Sequence, residues 1–256
     1  MLDFNHNSGF IYGRNVSDPE PLGARINSRI DAALVAEREG QRPRDYLGAS
    51  RIGEPCARRL VYEVTHTPSD PGNDLEGRVL RIFAAGHVFE DLAIHWLRQA
   101  GFDLRTQTEA GGQFGFETAG GRIRGHVDGV IVGGPEIGLT WPALWEHKAL
   151  KASSWSDTAK KGVQVSKPVY FGQMQIYMAY MGLGSALFTA LNKDTCELYH
   201  EHVPFDAAVA QALSDKAVDV LRAADAGDLL PRIATNPDFF LCRFCSFAAR
   251  CWEDRT

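Results

Sequence analysis

Several things are missing from this 256-residue chain. It has no run of about 18 apolar residues, which excludes a hydrophobic membrane-spanning helix. Its opening, MLDFNHNSGF, has no basic stretch leading into an apolar segment. No secretory signal is therefore expected, and a cytoplasmic location follows, the host cell's for a phage-encoded chain. Positive charge is not in excess. The formal net charge of -5 sets the chain apart from proteins that coat nucleic acid through bulk charge. It leaves room for a few clustered cations that grip phosphates. The five cysteines are odd in number and lack an export signal, so disulfides are not expected. There is no internal repeat and no low-complexity tract.

What is present is enough for a sizeable core: 45% of the residues are hydrophobic. Apolar spacing predicts helices over residues 20–39 and 54–64, and a long one over 75–100 that Gly101 stops. Residues 122–132 alternate as a strand, and 143–150 form a second. The polar stretch 153–167 reads as a mobile segment. Ser166 and Pro168 open a helix that Gly182 ends. Strands over 185–191 and 196–203 flank a turn, Asn192-Lys193-Asp194-Thr195. Asp206 caps a helix that ends at Gly227, and a loop-like tail follows. This order points to an α/β core decorated by helical and cysteine-bearing segments.

Chemistry concentrates in the two middle strands. Asp128 lies in Gly125-His126-Val127-Asp128, and Glu146 and Lys148 lie in Trp145-Glu146-His147-Lys148. Side chains alternate along a strand, so Glu146 and Lys148 share a face and His147 points away. If the strands pair, Asp128 joins them. Two carboxylates can hold a hard cation such as Mg²⁺ or Mn²⁺, which polarises a phosphoryl oxygen and activates water. A nearby lysine orients that water and balances developing charge. Taken alone, the pattern also describes an ordinary Glu–Lys pair on a wet strand face.

Two helices add to it. Glu90 interrupts an apolar stripe of Phe83, Ile94 and Leu97, where a carboxylate needs a partner. Gly86, one turn earlier, offers close backbone approach. Gln173, Tyr177 and Tyr180 share another helix face and supply uncharged donors and acceptors.

The spacing Cys242-x-x-Cys245 with Cys251 suits a metal site, and Cys56 is the natural fourth ligand. Four thiolates do not distinguish an iron–sulfur cluster from zinc. Phe240, Phe244, Phe247 and Trp252 would shield a cluster. Cys196 opens a strand and reads as a core or half-buried thiol.

The series Gly86-x-x-x-Glu90, Asp128, Glu146-x-Lys148, Gln173-x-x-x-Tyr177 resembles the motifs of the PD-(D/E)XK nucleases, in their RecB-like and lambda-exonuclease-like branch. The resemblance implies a restriction-endonuclease-like α/β core, with a mixed central sheet flanked by helices. One nuclease domain would span 1–256: an N-terminal helical segment (1–74), the core (75–227) and a cysteine-bearing tail (228–256). Glu90, Asp128 and Glu146 would bind Mg²⁺ or Mn²⁺, Lys148 would be the catalytic lysine, and Gln173 and Tyr177 would line the site. Cys56, Cys242, Cys245 and Cys251 match the iron–sulfur members of that group, which implies a [4Fe–4S] cluster, with zinc as the other occupant. The implied activity is a metal-dependent DNA exonuclease of recombination, repair or phage DNA processing. Its partner would be DNA, single strands ahead of duplex, with room for a recombination or annealing protein and for a homo-oligomer. A CRISPR adaptation nuclease that trims spacers is the alternative within the fold, although its relatives usually carry His where Glu90 stands. A non-catalytic iron–sulfur DNA-binding module is the alternative of another class.

Arg42, Arg44, Arg51, Arg58 and Arg59 form one basic run, and Lys148, Lys151, Lys160, Lys161 and Lys167 form another. Both are candidates for phosphate contact. Trp155 is a candidate for base stacking. His126 shares a face with Asp128.

Overall fold

The computed structural model describes residues 21–73 and 76–253. Two compact units are present. The first comprises Met1–Arg42 and Leu75–Ala84, and the second comprises Pro43–Asp74 and Ala85–Thr256. In the first, helix α1 (Leu22–Glu39) buries no residue, and its Asp31 pairs with Arg81.

The second unit carries the sheets. In chain order the elements are β1 (Leu47–Gly48), α2 (Ala49–Ile52), α3 (Ala57–Val64), the later part of α4 (Gly77–Gln99), β2 (Leu104–Arg105), β3 (Gly115–Thr118), β4 (Ile123–His126), β5 (Gly129–Ile131) and β6 (Ala143–Leu150). Then come α5 (Ala152–Ser166), α6 (Pro168–Met181), β7 (Ser185–Asn192), β8 (Leu198–Pro204), α7 (Ala207–Ala226), α8 (Phe240–Arg243) and α9 (Ala248–Glu253). A five-stranded mixed sheet runs β2-β5-β6-β7-β8, and a three-stranded sheet runs β1-β4-β3. Strands β6 and β7 are parallel and are joined through α5 and α6, while the other pairs of the large sheet are antiparallel. This is the mixed α/β class expected from the sequence.

Strand β6 divides the core. Leu144 and Leu150 face a cluster with Met174, Ile176, Phe188 and Val220. Trp145 faces the other way, toward Ala93, Leu97, Leu104, Ile131 and Leu187. Helix α6 is buried on all sides from Gly172 to Met178, as its nearly continuous apolar run requires. Pro168 begins it, and left-handed Gly182 (φ 68°) ends it. Asp206 caps α7 by accepting from the amides of Ala208 and Val209 at 3.0 and 3.1 Å; such a cap is worth about 1 kcal/mol.

Three sequence expectations are corrected. The alternating stretch 122–132 is two strands in two sheets, β4 and β5, with a bend at Asp128 between them. The stretch expected to be mobile is helix α5, kinked at Gly162 (φ 76°). Its Trp155 packs on the core and donates to the Ala190 carbonyl at 2.9 Å, so it is a packing residue rather than a free stacking platform. The tail is not plain loop but contains α8 and α9. Among the described residues, no helix is long and apolar enough to cross a membrane.

Candidate active site and cysteine pocket

Strand register builds the acidic centre. Gly129 pairs with Trp145, which brings Asp128 beside Glu146. Asp128 Oδ2 accepts the His147 amide at 2.8 Å, so the bend between β4 and β5 is tied directly to β6. Pleating turns Glu146 and Lys148 to one face and Trp145 and His147 to the other. His147 is buried on that far side, stacked on Trp145 with ring centroids 5.7 Å apart, as its position in the alternation predicts. Burial, then the neighbouring Lys148, lowers its pKa to about 4.

Glu146 is 0% exposed. Its Oε1 accepts from Gln173 Nε2 at 2.7 Å and also from Lys148 Nζ. Its Oε2 is buried without a hydrogen-bond partner among the described residues. Lys148 Nζ also lies 3.8 Å from Asp128 and donates to the His147 carbonyl at 2.9 Å. The Tyr170 ring lies 5.2 Å from that ammonium. Tyr170 was not singled out from the sequence; its spacing of three and seven from Gln173 and Tyr177 is the signal that would have found it.

The charges explain one another. Burial, then repulsion from Asp128, raises Glu146 to about 8. The same two causes raise Glu90 on α4 to about 7. Burial alone would lower the Lys148 ammonium, but the Glu146 and Asp128 charges prevail and hold it above the ordinary lysine value. Tyr177 is pushed above the usual tyrosine range by burial and then by the same carboxylates. The six residues expected at the site, Glu90, Asp128, Glu146, Lys148, Gln173 and Tyr177, thus act electrostatically on one another. Two carboxylates are held above their ordinary pKa, and one buried oxygen is left over. Such a site gains from added positive charge.

Close approach also shapes the centre. A Cβ on Gly125 would lie 2.3 Å from the Tyr177 ring and 2.8 Å from the Ala49 Cβ, so only glycine lets β4 meet α6 there. Gly86 does not play the part its position suggested, because a Cβ on it would meet nothing within 4 Å. His126 is exposed and belongs to the smaller sheet. Tyr180 is largely exposed and stacks on Phe116.

The four predicted cysteines come together. Cys56, at the start of α3, and Cys242, Cys245 and Cys251 line one pocket with Arg59 and Arg232. Burial, then the nearness of Cys56 and Cys251, raises the Cys242 thiol; burial does the same to Cys245. Of the aromatics expected to shield this pocket, Phe247 is buried and Trp252 lines it, but Phe240 and Phe244 are exposed. Cys196 is exposed in the turn before β8 with φ 63°, not in the core.

Among the described residues, no group of three or more His, Cys, Asp or Glu side chains is arranged to hold a single metal ion. In the acidic centre Lys148 takes the place between the carboxylates. At the cysteines, four thiols share a pocket rather than a point.

The basic runs are partly spoken for. Arg51 and Arg59 pair with Glu54 and Glu63, and buried Arg58 donates to the Leu230 carbonyl at 3.4 Å. Lys161 pairs with Asp157 at 2.6 Å. Arg42, Arg44, Lys151 and Lys160 remain exposed.

No family model matches the chain, and no curated protein does. Solved structures do. A crystal structure of an alkaline exonuclease (LHK-Exo) from Laribacter hongkongensis superposes with a TM-score of 0.51 at 17% identity, over 77% of this chain and 93% of that one. The same exonuclease in complex with dAMP gives 0.50 at 16% identity, over 78% and 93%. The protein SSO0001 gives 0.50 at 16% identity, over 88% and 96%. At these identities the likeness is one of fold, and it matches the restriction-endonuclease-like core that the motif series implied.

Proposed function

We propose that this chain is a metal-dependent deoxyribonuclease that hydrolyses phosphodiester bonds as an exonuclease. The observation that carries the reading is Glu146: a fully buried carboxylate with one oxygen unpartnered, beside Asp128, Glu90 and Lys148. Charged groups persist in such places when a cation offsets them. Support for exonuclease action and for a DNA substrate comes from the two LHK-Exo neighbours, one of them a complex with dAMP.

The donor set fits a hard divalent cation, Mg²⁺ or Mn²⁺. Carboxylate oxygens of Glu90, Asp128 and Glu146 would be the ones to hold it. When bound, the ion supplies Lewis-acid polarisation of the scissile phosphate and activation of the attacking water. The remaining work belongs to the chain. Gln173 holds the Glu146 carboxylate in orientation. Lys148, kept charged by its neighbours, positions the attacking water and steadies negative charge on the phosphoryl oxygens. Tyr170 confines its ammonium, and Tyr177, kept protonated, gives the wall a donor.

The cysteine pocket is the second element of this reading. Four thiols around one pocket suit a [4Fe–4S] cluster, with zinc as the other occupant. Cys56 and the tail cysteines would supply the four thiolates, and the cluster would join the two segments that bear them.

The test is a digest of end-labelled single-stranded and duplex DNA with Mg²⁺, with Mn²⁺ and with chelator. Progressive shortening from an end, abolished by chelator, is expected. Binding without cleavage under every metal condition would replace the nuclease with a DNA-binding module.

A further inference from the structure

Helix α9 carries Cys251, and two residues remote in sequence hold its ends. Asp70, only 6% exposed, accepts the Ala249 amide on Oδ2 at 2.7 Å and the Arg250 amide on Oδ1 at 3.2 Å. The Asp70 amide in turn donates to the Ser246 carbonyl at 2.8 Å. First-turn amides have no partner within their own helix. Asp70 therefore serves as a cap supplied from another segment, 179 residues away from Ala249. At the other end, Arg232 donates from Nε and Nη2 to the Cys251 carbonyl at 2.9 and 2.7 Å, and its guanidinium lies 5.0 Å from the Trp252 ring centroid.

We infer that Asp70 is the positioning residue of the cysteine pocket: it docks the tail so that Cys251 stands with Cys56. This rests on reading the four cysteines as a metal site. Two further contacts follow the same path. The loop bearing Asp70 continues from α3, whose first residue follows Cys56. On α3, Tyr62 rests against Phe247 with centroids 5.1 Å apart, and Arg58 reaches the Leu230 carbonyl. All these bonds use atoms other than the thiols. Small metal domains often order their ligands only when the metal arrives. In this chain the tail is also held by bonds that do not involve the thiols. A carboxylate on two amides makes a stronger tie than a neutral acceptor, and removing it leaves two amides without partners.

The test uses the full chain. Metal-free protein is alkylated with iodoacetamide, and each cysteine is followed by mass spectrometry. Asp70→Ala, which removes both hydrogen bonds, is expected to speed modification of Cys251 by at least about tenfold, the lower bound set by a single charge-assisted hydrogen bond. The exposed Cys196 should keep its rate. Asp70→Asn, which retains one acceptor oxygen, should fall between. The same variants purified without oxygen should carry less iron and sulfide, or less zinc, than wild type. An unchanged Cys251 rate overturns the inference. So does equal acceleration of all four thiols with loss of cooperative melting, which signals unfolding instead. A wild-type chain without iron, sulfide or zinc refutes the metal reading, while the alkylation rates still decide whether Asp70 positions Cys251.

Discussion

Gln173 donates from Nε2 to Glu146 Oε1 at 2.7 Å, and both side chains are buried. The bond fixes the carboxylate that the proposed chemistry depends on. Outer partners of ligating carboxylates are worth about 10–100-fold in metal affinity or activity. Gln173→Ala should lower nuclease activity by that factor and destabilise the fold by about 1–3 kcal/mol, since a buried acceptor loses a partner. Urea melts and initial rates measure the two effects. Wild-type values for both would show that Gln173 does not hold Glu146.

The raised carboxylates give stability a pH dependence. Glu146 at about 8 and Glu90 at about 7 bind protons more tightly folded than unfolded, where the ordinary value is 4.5. Their contribution is present below 4.5 and is lost as pH rises through the folded values. His147 runs the opposite way, but only below its unfolded value of 6.5. Metal-free protein should therefore melt at progressively lower temperature from pH 6.5 to about 8 and level off above that. Added Mg²⁺ or Mn²⁺ should raise the Tm more at the upper end, where the carboxylates are ionised. A metal-induced shift that is flat across this window would contradict the assignment.

Two glycines should respond in opposite directions. Gly125→Ala places a Cβ 2.3 Å from the Tyr177 ring and should cost about 1–3 kcal/mol by overpacking. Gly86→Ala, inside α4 with open space around it, should stabilise by about 0.5–1 kcal/mol. Chemical denaturation of both variants checks the contrast, and a stabilised Gly125→Ala would mean that β4 and α6 do not meet as described.

The cysteines divide into four and one. Protein purified without oxygen should be brown and contain iron and sulfide. Cys245→Ala should lose that metal, and Cys196→Ser, at an exposed turn, should keep it. Colourless protein with one zinc per chain would assign zinc to the pocket. Metal loss in Cys196→Ser would break the four-and-one division.

Elements with strong local signals were legible in the sequence. Strand β6, helix α6 with its proline start and glycine stop, and α7 with its Asp206 cap lie where periodicity and capping put them. Alternation puts Glu146 and Lys148 on one face, but it took the resemblance of the whole motif series to group Asp128 and Glu90 with them. The break at Asp128 was not legible, because the burial of Ile123, Gly125 and Val127 continues the alternation up to it. What interrupts the strand is tertiary: the bend bonds to His147, 19 residues on. Helix α5 was hidden by its polarity, since only Trp155, Thr158 and Val163 mark its inner face and Gly162 interrupts it. Asp70 carried no motif at all, because its partners are backbone amides of a distant segment.

The most direct measurement is digestion of end-labelled DNA with Mn²⁺ or Mg²⁺ by wild type, Asp128→Ala and Lys148→Ala, with circular dichroism melts run alongside. Each variant should keep a cooperative fold while activity falls by at least about a hundredfold. Digestion at the wild-type rate by either folded variant would contradict a catalytic centre at Asp128, Glu146 and Lys148.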